Sequence, residues 1–208
     1  MTVGYPARGG HDTVRGAAYH RRMPFMLDAP IVTPRLLVRS LHADDLPDLL
    51  VVNGDDAVTH HLPYPSWAGM DDATAWAERV RQREQAGDTL QLVLQRRDTG
   101  QVIGACLLFK LDEPSGRAEL GYVLGQAHWH GGWMFEACEA LVAHAFGPLG
   151  LRRLEAEVNP ANAASMVLIR RLGFTQEGLL RQRWTAKGRT YDIAFFGLLA
   201  SDVKTSAD

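Results

Sequence analysis

The sequence predicts an α/β (α+β) fold: one mixed, mostly antiparallel twisted sheet flanked by helices. Three observations carry that prediction. Three strand-like stretches follow one another from Leu90 to Leu124, separated only by the turns Asp98-Thr99-Gly100 and Ser115-Gly116, which makes an antiparallel meander. After Gly125 the apolar period becomes helical, with Trp133, Ala137, Leu141 and Ala145 on one face. A further strand, Arg153–Val158, follows that helix. A strand–loop–helix–strand passage amid antiparallel strands implies a mixed sheet with a right-handed crossover.

The remaining elements fall in order around this centre. Ile31–Arg39 reads as a first strand, with Leu36 and Val38 on one face. Asp44 and Asp45 open a short helix carrying Leu46, Leu49 and Leu50, with Pro47 in its first turn, where the missing N–H costs nothing. Pro63 and Pro65 break His60–Trp67 into a loop. Asp71 or Asp72 is expected to cap a second helix bearing Ala75, Trp76, Arg79 and Val80, ending near Gly87. Leu90–Gln95, Gln101–Leu111 and Ala118–Leu124 are the meander. Gly147-Pro148 stops the helix Trp133–Phe146, and Gly173 closes a last helix, Asn162–Leu172. From Gly178 to Leu199 two strands surround a Lys187-Gly188 turn.

The 208 residues carry 46% hydrophobic content, enough for one domain with a sizeable core. No apolar run reaches the ~18 residues of a membrane span, so a soluble protein is expected. The formal charge is −2, which gives no global basic field toward nucleic acid or membrane. The two cysteines, Cys106 and Cys138, fit no metal spacing and sit in apolar surroundings. Buried reduced thiols and a cytoplasmic setting are expected. Residues 1–25 are expected to be a disordered, basic N-terminal extension without the apolar core of a signal peptide, leaving 26–208 as the single domain.

The stretch that carries most chemistry is Leu120–Ala137, LGYVLGQAHWHGGWMFEA. A strand ends, a glycine-rich loop follows, and a helix begins at once. Successive N–H groups in such a loop form an anion nest, and the helix N-terminus adds free donors and its dipole. A diphosphate fits there, with Gly131 and Gly132 allowing close approach. The same passage also arises from turn chemistry alone. The preceding antiparallel strand argues against a dinucleotide-binding unit, and the lysine of a triphosphate-binding loop is missing.

From Ile31 to Leu199 the pattern resembles the GNAT acetyltransferases, and within them the Rim-type ribosomal-protein N-terminal acetyltransferases. The resemblance rests on Thr33-Pro34-Arg35-Leu36, on Ala118-Glu119-Leu120-Gly121-Tyr122, on the helix start Gly132–Ala137, on Asn159–Ser165, and on Leu172-Gly173-Phe174 with Glu177-Gly178. Met134 stands where the wider superfamily has Gly or Ala, as in the alanine-specific subgroup, and His130 stands where that subgroup usually has Gly.

This resemblance implies acetyl-CoA as co-substrate, with no metal. The strands Ala118–Leu124 and Arg153–Val158 would splay, and the pantetheine arm would pair with the backbone of Tyr122, Val123 and Leu124. The diphosphate would lie on Trp129, His130, Gly131, Gly132, Trp133 and Met134, and Asn159 and Asn162 would reach the pantetheine. Ser165 is the expected proton donor to the departing thiolate, because Ile169 occupies the spot where many superfamily members place a tyrosine. As plain helix chemistry, Ser165 would only bond the helix backbone. Glu119 is the first candidate for the base, with His60 and His61 beside the acceptor as alternatives. Trp184 stands where serine-specific relatives carry a glutamate, and is expected to wall the acceptor pocket.

The expected reaction moves acetyl to a primary amine, foremost a protein N-terminus, by direct attack in a ternary complex. A small-molecule amine and a non-catalytic acyl-CoA-binding module are the alternatives. The expected partners are that acceptor and a second copy of the chain in a homodimer.

Overall fold

The computed structural model describes residues 25–203, so residues 1–24 of the expected extension lie outside the described residues. Phe25, assigned to that extension, is instead buried in the main core.

Among the described residues one eight-stranded sheet runs in the order β1-β2-β3-β4-β5-β6-β8-β7. Its first strands are β1 (Ile31–Val32) and β2 (Leu36–Ser40). The meander is β3 (Leu90–Arg96), β4 (Val102–Asp112) and β5 (Arg117–Leu124). The rest is β6 (Arg153–Val158), β7 (Thr175–Ala186) and β8 (Arg189–Leu199). The helices are α1 (Leu46–Asn53), α2 (Asp56–Thr59), α3 (Met70–Ala86), α4 (Trp133–Phe146) and α5 (Ala163–Arg171).

Three expectations are corrected. The single strand Ile31–Arg39 is a hairpin: Ile31 pairs with Val38, and the chain reverses at Thr33–Arg35. Pro34 presets the turn, and Thr33 Oγ1 accepts from Leu36 N at 2.9 Å. The cap of α3 is Gly69, with Asp71 and Asp72 in the first turn; Asp72 instead accepts from Ala68 N at 2.7 Å. The last hairpin starts at Thr175, and its second strand, β8, inserts between β6 and β7.

The core forms because the strands alternate or run apolar while α4 lays Met134, Ala137, Cys138, Leu141 and Ala145 on the sheet. A second cluster, built from Leu46, Leu49, Trp67, Ala73, Val93, Val102 and Ala105, seats α1 and α3. Both cysteines are buried free thiols, and burial pushes Cys106 up to about 12.

What positions the site is the seam between β5 and β6. These two strands pair parallel, and only at Arg117–Arg153, Ala118–Leu154 and Glu119–Glu155. From Leu120 onward β5 follows β4 alone, up to Leu124 opposite Gly104. Gly104 permits a close approach: a Cβ there would lie 2.4 Å from the carbonyl oxygen of Val123. The splay expected of these strands is therefore present.

Candidate active site

A cleft of about 610 Å³ opens at the splay. Its floor is β5 from Glu119 to Val123 and β6 from Ala156 to Val158. The start of α5, the face of α3 and the loop 61–67 wall it, and Trp184 of β7 closes one side. The Lys187 ammonium in the β7–β8 turn donates to the carbonyl of Thr59 at 2.7 Å and ties that hairpin to the end of α2, just before the loop.

Ser165 and Tyr122 meet across the splay. Their hydroxyl oxygens are 2.6 Å apart. Asn162 caps α5 by accepting from Ser165 N at 3.1 Å, which fixes Ser165 in the first turn and aims its side chain at β5. Burial raises the Tyr122 phenol well above its ordinary value, against the opposing bond with Ser165, so it stays protonated. From the sequence, Tyr122 is expected to act only through its backbone. Asn159 and Asn162 line the same cleft, but Asn159 Oδ1 turns back to Ala161 N.

Glu119 lies on the cleft floor, 5% exposed. Burial pushes its carboxyl above the usual range. The Lys110 ammonium, donating at 2.7 Å, opposes that shift, and Glu157 and Glu155 add to it. Glu157 was missed by sequence reasoning; it lies on β6, where Trp184 Nε1 donates to it at 2.7 Å. A carboxylate-rich β6 stretch, Glu155-Ala156-Glu157, was the available signal, since period two puts both acids on one face.

His61 lines the cleft, whereas His60 is exposed and packs edge-on against His61 at 4.6 Å. Burial, then the neighbouring His60 and Lys187, hold the His61 imidazole below its usual value.

The glycine-rich loop reaches α4 outside this cleft, at the end of the splay. Gly132, at φ 74°, precedes α4, and no side chain caps that helix. The first-turn N–H groups of Trp133, Met134 and Phe135 therefore have no intrahelical partner. His130 is left-handed too, at φ 59°, a conformation that the glycine usual there adopts without strain. Trp129 folds back so that its indole N–H donates to the carbonyl of Leu124 at 2.9 Å. The Met134 side chain is buried in the core, so only its backbone faces the loop.

Two arginines flank the loop, neither of them expected from the sequence to bind a ligand. Arg35 lies 4.2 Å and Arg96 5.1 Å from the centre of the Trp133 ring. Arg35 Nη1 also donates to the carbonyl of Gly131 at 2.9 Å. Glu136 holds Arg35 there, accepting from its backbone N at 2.8 Å, from its Nε at 2.6 Å, and from Thr33 Oγ1 at 2.6 Å. Burial alone would raise the Glu136 carboxyl; the bonds from Thr33 and Arg35 outweigh it and hold it below the usual range. Donors, a helix dipole and the Arg35 guanidinium fit a diphosphate, whereas Arg96 is held by the Asp98 carboxylate at 2.9 and 2.6 Å. Among the described residues no group of three or more His, Cys, Asp or Glu could hold a metal ion.

Comparison with known proteins gives a consistent picture. The sequence profile of the Acetyltransferase (GNAT) domain family matches residues 35–175. The uncharacterized N-acetyltransferase p20 of Bacillus licheniformis is 34% identical over 169 residues, covering 81% of this chain and 95% of that protein. The [ribosomal protein uS5]-alanine N-acetyltransferase of Escherichia coli is 28% identical over 185 residues, covering 83% and 91%. Among solved structures, a probable acetyltransferase of the GNAT family from Chromobacterium violaceum superposes with a TM-score of 0.78 at 27% identity, covering 97% of this chain and 100% of that one. A ribosomal α-N-protein acetyltransferase in complex with coenzyme A has a TM-score of 0.73 at 20% identity, covering 81% and 96%, a likeness of fold.

Proposed function

The chain belongs to the GNAT acetyltransferase family and is an N-acetyltransferase, and we propose that it transfers acetyl from acetyl-CoA to the N-terminal amine of a protein by direct attack. The observation that carries this reading is the opening between β5 and β6, with the Ser165–Tyr122 hydroxyl pair and the buried Glu119 in one cleft. The protein acceptor is supported by the alanine N-acetyltransferase relative.

Beyond Glu119, the β5 edge facing the splay has no strand partner, so an extended pantetheine arm can pair with the main chain of Tyr122 and Val123. At Leu124 the carbonyl already receives the Trp129 indole, which anchors the loop that would take the diphosphate. There the N–H groups of Gly131, Gly132, Trp133 and Met134 would bind, with Arg35 supplying charge.

In the transfer, the neutral amine nitrogen attacks the thioester carbonyl carbon. A C–N bond forms and the C–S bond breaks; the proton that the attacking nitrogen sheds on becoming an amide passes to the sulfur, by way of the Ser165 hydroxyl, and coenzyme A leaves as the thiol. Glu119, whose carboxyl burial raises above its ordinary value, takes the ammonium proton directly or through one water. Ser165, backed by the protonated Tyr122, donates a hydrogen bond to the departing sulfur. The amide product carries no positive charge and no longer suits a carboxylate-lined cleft.

The test is direct. Acetyl-CoA should raise the melting temperature, and a screen of peptide N-termini, aminoglycosides and polyamines with a free-thiol readout should single out peptides. No melting shift at millimolar acetyl-CoA, or turnover confined to small amines, would reject this reading.

A further inference from the structure

Glu157 takes no part in the transfer steps. Its side chain is 4% exposed, with the Trp184 indole on Oε2 and the half-exposed Arg183 at 3.3 Å from Oε1. The Lys110 ammonium stands 2.7 Å from Glu119 and 3.8 Å from Glu157. Two nearly buried carboxylates on neighbouring strands thus share one ammonium, whose own side chain is 53% exposed. Nearby Glu155 differs: the guanidinium groups of Arg117 and Arg153 both hold it, at 2.8 and 2.9 Å.

Lys110 reaches this position through an irregularity. Phe109 pairs with Glu119, but the register shifts before pairing resumes at Asp112–Arg117. Successive residues of a regular strand face opposite sides, so the residue after Phe109 should point away from Glu119. Lys110 instead has φ 52°, and this left-handed residue at the shift brings its side chain back over the cleft. Its ammonium also lies 5.3 Å from the centre of the Phe109 ring.

We propose that Glu157, fixed by Trp184, is the seat for the acceptor's ammonium group, and that Lys110 fills this seat until a cationic acceptor displaces it. The proposal rests on the acetyl-transfer reading, in which the acceptor arrives as an ammonium ion. A lysine head and an alkylammonium present the same three donors, so the exchange leaves each carboxylate satisfied. The flexible, half-exposed lysine stem can swing its charge into water. The seat adjoins Glu119, so a bound ammonium is already beside the group that deprotonates it. Neutral nucleophiles gain nothing from the exchange.

Calorimetric binding in the presence of coenzyme A tests this with two probes, an alanyl tripeptide with a free N-terminus and spermidine, alongside steady-state turnover of each. Glu157→Gln should weaken whichever probe binds the wild type by about tenfold or more, and raise its KM more than it lowers kcat. Its melting shift with acetyl-CoA should match the wild type. Lys110→Met should bind the same probe several-fold more tightly, because the internal competitor is gone. The tripeptide with its amine replaced by hydroxyl should bind the wild type and Glu157→Gln alike. Should Glu157→Gln fold poorly, Trp184→Phe, which removes the indole bond while keeping an aromatic wall, should weaken the amine more than the hydroxyl analogue. Amine binding that survives Glu157→Gln, weaker binding in Lys110→Met, or a wild type that binds neither probe would overturn the proposal. Glu157-dependent binding without acetylation would uphold the seat and remove the acetyl-transfer reading.

Discussion

Gly104→Ala probes the origin of the splay, and its effect can be worked from the geometry. The added Cβ would lie 2.4 Å from the Val123 carbonyl oxygen and 3.1 Å from the Leu124 Cα, against at least 3.4 Å for an ordinary contact. The strands must therefore separate by about 1 Å, of the order at which misplacement harms catalysis. On its other side β4 is held by β3, through pairs from Leu90–Leu108 to Gln95–Val102. The outer edge of β5, in contrast, has no strand partner past Glu119. So β5 should yield, toward the slot proposed for pantetheine. Overpacking of this kind costs about 1–3 kcal/mol. For a chain of this size that lowers the melting temperature by about 2–12 °C. The KM for acetyl-CoA should rise about tenfold or more, because the main-chain donors and acceptors of Tyr122 and Val123 move with the strand. Thermal melts with and without acetyl-CoA, and thiol-release kinetics on the same preparation, read both effects. A variant that melts within a degree of the wild type and keeps its acetyl-CoA shift would show that the Gly104 contact does not shape the slot.

Three further outcomes are expected. Ser165→Ala should lower kcat by about ten- to a thousandfold with little change in KM for acetyl-CoA; stability should fall by about 1–2 kcal/mol, since Asn162 still caps α5 but Tyr122 loses its partner. Near wild-type turnover would return Ser165 to a helix-start role. The kcat/KM profile should rise with pH through the raised Glu119 value, and Glu119→Gln should flatten that limb. In stability the sign is opposite: the Glu119 contribution is full below the ordinary carboxylate range and is lost as pH rises through the raised value, so urea melts should show Glu119→Gln gaining on the wild type from acid toward neutral pH. Arg35→Ala should raise the KM for acetyl-CoA about tenfold with kcat retained, and Glu136→Ala should do the same at a further cost of about 2–3 kcal/mol in denaturant melts, because it strands Thr33 and Arg35. An unchanged KM in both would mean that this arginine does not serve the loop.

Local chemistry in the sequence determined most of the elements. Gly87, Gly147 and Gly173 end their helices, Asn162 starts α5, and the turns at Asp98–Gly100 and Lys187-Gly188 set the hairpins; each depends on backbone preferences within a few residues. The mixed sheet and the strand–loop–helix start at Gly132 were legible for the same reason. The tertiary structure decided what depends on partners far apart in the chain. Thr33–Arg35 reverses instead of extending, and Glu136, 101 residues from Arg35, receives that turn's side chains and backbone. Tyr122 acquires a hydroxyl role only because α5 delivers Ser165 from 43 residues away. Glu157 becomes a buried neighbour of Glu119 only because β6 pairs parallel with β5 and then parts from it while staying on β8, and a left-handed Lys110 bends back over both carboxylates. Capping, turn and periodicity signals are short-range and written in residue type. Charge partners are set only when strands distant in sequence lie side by side, so a local pattern such as Glu155-Ala156-Glu157 marks a shared face but not what that face will meet.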